Sequence, residues 1–131
     1  MNAVLDASLL VELLTNPQRQ GIRRRLPSVD SWCAPEYVDI ECLSALRRMR
    51  LQDRISHETF TRAALSLPEL TVHRHAIAVQ LPRMIQLTPN ATAFDSGYIV
   101  LAEILEAPLY TCDAKLAAVP GIQCEVIVFA P

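Results

Sequence analysis

The stretch Thr92–Ala117 reads TAFDSGYIVLAEILEAPLYTCDAKLA. Thr92 is a residue type that caps a helix N-terminus, and the run behind it is almost wholly apolar, with Asp95 in its first turn. Leu109-Tyr110-Thr111 then reads as a short buried strand. A second acid, Asp113, follows that strand and precedes a short helix over Ala114–Ala118, which Pro120-Gly121 stops. An isolated carboxylate beside segments that bury themselves is costly, so each acid must neutralise or find a partner.

The remainder of the chain repeats the strand-then-helix pattern. Ala3-Val4-Leu5 reads as a buried strand ending at Asp6. Asp6-Ala7-Ser8 is a helix-start signature, and Leu9, Leu10, Leu13 and Leu14 form the stripe of an amphipathic helix, broken at Asn16-Pro17. A polar, Arg-rich helix or turn over Gln18–Leu26 is closed by Pro27. Ser31–Ala34 reads as a brief strand. Pro35 is placed to open a helix from about Glu36 to Gln52, with Val38, Cys42, Ala45, Leu46 and Met49 on one face. Ser56 caps a further helix that Pro68 ends. Leu70-Thr71-Val72 is expected as a strand, Ala76–Leu87 as a helix kinked at Pro82, and Val126–Phe129 as the closing strand. This alternation predicts one domain spanning residues 1–131, an α/β/α sandwich with a central, mostly parallel sheet. Such sheets bind ligands outside the carboxyl ends of their strands. Asp6 and Asp113 both fall there.

Composition agrees with a packed domain: of 131 residues, 51% are hydrophobic and 20% charged, which excludes a disordered chain. The opening segment lacks a basic region and carries Asp6 and Glu12, so it is neither a secretion signal nor a membrane span, and a cytoplasmic protein is expected. Cys33, Cys42, Cys112 and Cys124 form no C-x-x-C pair and have no His at zinc spacing, so they read as small core residues. The net charge of −2 makes no case for nucleic acid. The distribution is more telling. Eleven of the twelve basic residues are arginines between Arg19 and Arg83, and beyond Arg83 only Lys115 is basic.

None of the four acids Asp6, Glu41, Asp95 and Asp113 has a cation three or four residues away. Asp6 has Leu9 and Leu10 there, Glu41 has Ser44, Ala45, Tyr37 and Val38, Asp95 has Tyr98, Ile99, Ala91 and Thr92, and Asp113 has Leu116 and Ala117. Glu41 also borders the buried stripe of its helix. Three of the four have a plain structural role open to them: Asp6 and Asp113 as helix caps, Asp95 as a capping-box acid favoured by the helix dipole. Should they converge, two charges about 5 Å apart repel by roughly 3 kcal/mol at an effective dielectric near 20. Such a cluster either protonates in part or holds a hard dication. All-oxygen ligation then suits Mg²⁺ or Mn²⁺ better than Zn²⁺.

Three segments carry a family resemblance. VLDASLLVELL (Val4–Leu14), APEYVDIECLSALRRM (Ala34–Met49) and TAFDSGYIVLAEILEAPLYTCDAKLA (Thr92–Ala117) resemble, in order and spacing, the acidic motifs of PIN-domain ribonucleases, in particular VapC-type toxins. The resemblance covers nearly the whole chain and implies a PIN-like three-layer sandwich. It implies an acidic metal cluster of Asp6, Glu41, Asp95 and Asp113, supported by the hydroxyls of Ser8 and Thr111, and Mg²⁺- or Mn²⁺-dependent hydrolysis of RNA. It further implies a cognate small VapB-like antitoxin and a homodimer. Ser96-Gly97 stands where a small Ala-Leu or Ala-Ile pair is more usual in the third motif, a departure that removes no acid and bears only on local packing. Arg47 and Arg48 are candidates for RNA contact; Arg48 lies about 20° from Glu41 around the helix, two turns on, although a solvated face explains it equally. Trp32, Tyr37 and Tyr98 are candidates for base stacking or for the core. His57, His73 and His75 show no nucleophile or metal spacing. Two other functions stay open at this level: a PIN nuclease of general RNA processing or of DNA, and a noncatalytic binding module of the same fold.

Overall fold

In the computed structural model, residues 1–16 and 20–129 are described, with Gln20 described in its backbone alone. The expected break at Pro17, with Gln18 and Arg19, lies outside the described residues. Five strands form one sheet: β1 (Ala3–Leu5), β2 (Trp32–Pro35), β3 (His73–His75), β4 (Leu109–Thr111) and β5 (Val126–Val128). The order is β3-β2-β1-β4-β5, and every neighbouring pair is parallel. The central strands have no polar alternation because both faces are covered: Ala3, Val4, Leu5, Ala34 and Leu109 are fully buried.

The helices are α1 (Ala7–Thr15), α2 (Gln20–Arg25), α3 (Val38–Leu51), α4 (His57–Ser66), α5 (Leu81–Leu87) and α6 (Ala93–Leu105). α1, α3 and α4 pack together, while α6 packs on β1, β2 and β4 with α5 outside it. The result is the expected α/β/α sandwich. α6 is apolar all round through its middle, from Gly97 to Ala102, as its position between sheet and α5 requires. Its polar ending is fixed by Glu103, whose carboxylate takes two bonds of 2.9 Å from Arg83 and one of 2.7 Å from the Gln123 N–H. Among the described residues no helix is long and apolar enough to cross a membrane. All four cysteines are free, Cys33 and Cys42 being buried and Cys112 and Cys124 half-buried. Trp32 and Tyr98 are core residues.

Three expectations shift. The third strand is His73–His75, not Leu70–Val72. The Val72 N–H bonds the Leu70 carbonyl at 2.8 Å, a tight local turn that leaves no room for a ladder. The edge strand that follows is held from its side: Arg74 reaches Asp39 on α3 through bonds of 2.7 and 2.9 Å. Pro35 ends β2 instead of opening a helix. It pairs with His75, and the next residue, Glu36, donates the bond to the His75 carbonyl at 2.8 Å. Pro82 occupies the first turn of α5 and so starts that helix without kinking it.

Candidate active site

The site grows from the carboxyl ends of the two central strands. Asp6 follows β1, its N–H bonded to the Tyr110 carbonyl of β4 at 3.2 Å. Its backbone is extended, so it caps α1: Oδ1 accepts from the Leu9 N–H at 3.1 Å and from the Ser8 hydroxyl at 2.7 Å. Oδ2 accepts from the Thr111 hydroxyl at 2.5 Å. Each hydroxyl is itself fixed by the backbone after β4. Thr111 Oγ1 accepts from the Asp113 N–H at 2.9 Å, and Ser8 Oγ accepts from the Cys112 N–H at 3.0 Å. Capping and placement of an acid at the sheet edge are therefore one arrangement, not rival explanations of Asp6.

Asp6 is only 4% exposed. Burial pushes its pKa up to about 6, against the pull of Thr111, Ser8 and the Leu9 N–H, and Asp95 adds repulsion. Glu41, near the start of α3, is raised chiefly by burial; Tyr98 pulls it down, Asp95 and Asp6 push it up, and Arg48 partly offsets them. Asp95 is raised by burial too, eased by the Thr92 hydroxyl and pushed further by Asp113. The Thr92 hydroxyl also accepts the Asp95 N–H at 3.1 Å, completing the cap of α6. Asp113 caps the 3₁₀ turn Ala114–Ala118 by accepting from the Lys115 N–H at 3.0 Å.

These four acids line one cavity of about 350 Å³, with Ser8 and Arg48 in its wall. Thr111 is fully buried behind Asp6. Arg47 is exposed and does not line the cavity. A neighbouring cavity of about 410 Å³ shares Ser8, Ala45 and Arg48 and adds Gln52 and Arg54. Among the described residues none of the four acids forms an ion pair. No group of three or more His, Cys, Asp or Glu side chains there already has the spacing of a metal centre. The donor set facing the cavity is nonetheless all oxygen, with no imidazole or thiolate in the wall, which fits a hard dication.

Sequence reasoning gave the acids and hydroxyls but not the tyrosine that holds two of their helices together. Tyr37, just before α3, donates from its hydroxyl to the Phe94 carbonyl at 2.5 Å, in the first turn of α6. Its ring meets Phe94 and Tyr98 edge-on, with centroids 5.2 and 5.6 Å apart. Gly97 makes this possible, because a Cβ there would stand 2.0 Å from the Tyr37 hydroxyl oxygen. The small residue in the third motif was the available signal. Gly97→Ala is expected to lower stability by about 1–3 kcal/mol. Urea unfolding of Gly97→Ala with and without Tyr37→Phe checks this, since removing the hydroxyl should return part of the loss.

A three-layer sandwich with an acidic cavity at the ends of its parallel strands places the chain among PIN-like nuclease folds. Two solved structures share the fold. PAE2754 from Pyrobaculum aerophilum superposes with a TM-score of 0.68 over 96% of this chain and 83% of its own, at 19% identity. VapC20 of Mycobacterium tuberculosis, a sarcin–ricin loop cleaving toxin, gives 0.69 over 99% and 100%, at 16% identity. No family model matches the chain. Whole-length relatives do. Ribonuclease VapC1 of M. tuberculosis is 38% identical over 128 residues, covering 94% of each chain. Ribonuclease VapC12 of the same organism is 35% identical over 97% of this chain and 98% of its own. The chain belongs to the VapC ribonuclease family of PIN-domain toxins.

Proposed function

We propose that residues 1–131 form one Mg²⁺- or Mn²⁺-dependent endoribonuclease domain, the toxin of a VapBC-type pair, which hydrolyses RNA phosphodiester bonds at the Asp6–Glu41–Asp95–Asp113 cavity. The observation that carries this reading is the cavity itself: four carboxylates from four separate segments face one space, and among the described residues none of them forms an ion pair. Proteins that discard this chemistry have no reason to keep mutually repelling acids together. The VapC family membership supports RNA over other phosphodiesters, and a small VapB-like antitoxin and a cytoplasmic homodimer as the setting.

Asp6, Glu41 and Asp95 would hold the principal dication, directly or through water, and Asp113 a second or looser one. Such an ion, when bound, lowers the pKa of an attacking water and neutralises charge on the scissile phosphate and the leaving oxygen. The protein's own contribution is placement. Ser8 and Thr111 hold both Asp6 oxygens by their hydroxyls and keep the carboxylate from rotating. The Thr92 cap fixes the first turn of α6, which carries Asp95. Arg48, at the rim, meets an incoming phosphate, and the adjoining cavity with Arg54 and Gln52 extends the path for the strand.

The test is cleavage of a panel of structured RNAs and matched DNAs with Mg²⁺ or Mn²⁺, comparing wild type with Asp95→Asn. Metal-dependent RNA cutting that the variant loses supports the reading; equal cutting by both removes it. Arg48→Gln is expected to raise KM for RNA several-fold with little change in kcat. It should also flatten the log–log dependence of RNA affinity on salt by about 0.7, the share of one lost phosphate contact on a single strand. Filter binding across a salt series reads that slope.

A further inference from the structure

Tyr98 is fully buried, and its hydroxyl has no hydrogen-bond partner. Leaving a buried donor unpaired is unfavourable, and phenylalanine would fill almost the same space without that cost. The hydroxyl is not placed at random. Tyr98 lies one turn beyond Asp95 on α6, with its ring held edge-on by Tyr37. Glu41 lies one turn beyond Tyr37, the residue whose ring meets Tyr98, so the Tyr98 hydroxyl is close enough to draw the Glu41 pKa down without meeting the distance and angle of a hydrogen bond. Glu41 also faces repulsion from Asp95 and Asp6.

We propose that Tyr98 is a positioning residue: when the four acids gather around a dication, its buried hydroxyl donates to one oxygen of Glu41 and leaves the other facing the cavity. The inference rests on reading the cavity as a dication site. A phenol locked by packing suits the task because its donor is already fixed in place and need not be ordered when the ion arrives. A buried donor without a protein partner is then stability given up for affinity. Partners of metal ligands typically change ion affinity by about 10–100-fold when removed.

The experiment compares wild type, Tyr98→Phe and Tyr98→Leu by ion-free melting temperature, by Mn²⁺ titration read from the free ion's electron paramagnetic resonance, and by RNA cleavage. Tyr98→Phe is expected to melt at or above the wild-type temperature without ion, and to bind Mn²⁺ about 10–100-fold more weakly. It should keep KM for RNA and recover kcat as Mn²⁺ is raised. Tyr98→Leu, which also loses the ring, should melt lower, separating packing from the hydroxyl. Mn²⁺ affinity of Tyr98→Phe within twofold of wild type overturns the proposal, as does an ion-free melting temperature below wild type, which would mean that the hydroxyl already serves the fold. Wild type that binds no Mn²⁺ at all would instead remove the dication reading of the cavity, and this inference with it.

Discussion

Asp6→Asn is expected to yield a protein that cuts RNA on the order of 10³-fold more slowly, the scale of removing a group that stabilises transition-state charge, yet folds more firmly than wild type. The stability half follows from the raised pKa. Folding lifts Asp6 from 3.8 to about 6. The folded state therefore keeps a proton that the unfolded chain releases between those values. Wild-type stability falls as pH rises through this window, and the full penalty, about 3 kcal/mol, stands above pH 6. Asn removes the charge and still caps α1, but its NH₂ cannot accept a bond as the lost oxygen did, so the net gain at pH 7 is about 1–2 kcal/mol. Urea unfolding at pH 4 and pH 7 checks this: the variant should be the more stable protein at the higher pH and should lose that advantage, falling to or below wild type, at the lower. Equal stability at pH 7, with full cleavage, would remove both the burial penalty and the catalytic role.

The second large effect is the response to ion. A dication bound by the folded state alone adds about 2.7 kcal/mol when present at a hundred times its Kd. For a chain of this size that raises the melting temperature on the order of 5–10 °C. The rise should be largest above pH 6, where Asp6 is charged and the repulsion among Asp6, Glu41 and Asp95 is fully developed, and should shrink toward pH 4 as protons compete for the same oxygens. Asp6→Asn should show little of it. Differential scanning calorimetry of both proteins, with and without millimolar Mn²⁺, measures the difference. A rise independent of pH, or equal in the variant, would place the ion elsewhere.

What could be read from the chain beforehand was what neighbouring residues decide. β1, β4 and the Ala114–Ala118 turn fall on their expected residues, and the caps at Asp6, Ser56 and Thr92 are in place, because an apolar run or a capping oxygen acts within a few residues. β3 was misplaced because its residues, His-Arg-His, carry no apolar signal; pairing with β2 and the reach of Arg74 to Asp39 select it. Pro35 and Pro82 misled because proline suits a strand end or a helix start as well as a break. The four acids were visible through their places after β1 and β4 and at the starts of α3 and α6, and through the motifs that carry them. Arg47 and Arg48 were both candidates, and only Arg48 lines the cavity. The Tyr37–Gly97 contact was not legible, since 60 residues separate its two halves and only the glycine hinted at a close approach.

The hydroxyl clamp on Asp6 also divides the cavity mechanically. Its floor hangs on β1 and β4 in mid-sheet, and the Asp6 amide should exchange with deuterium only when the entire molecule opens. Glu41 and Asp95 ride on the opening turns of α3 and α6, where opening is cheaper. One half of the cavity is thus an anvil and the other a pair of jaws, and under the proposed function adjustments that admit or release an RNA strand would fall to the jaws.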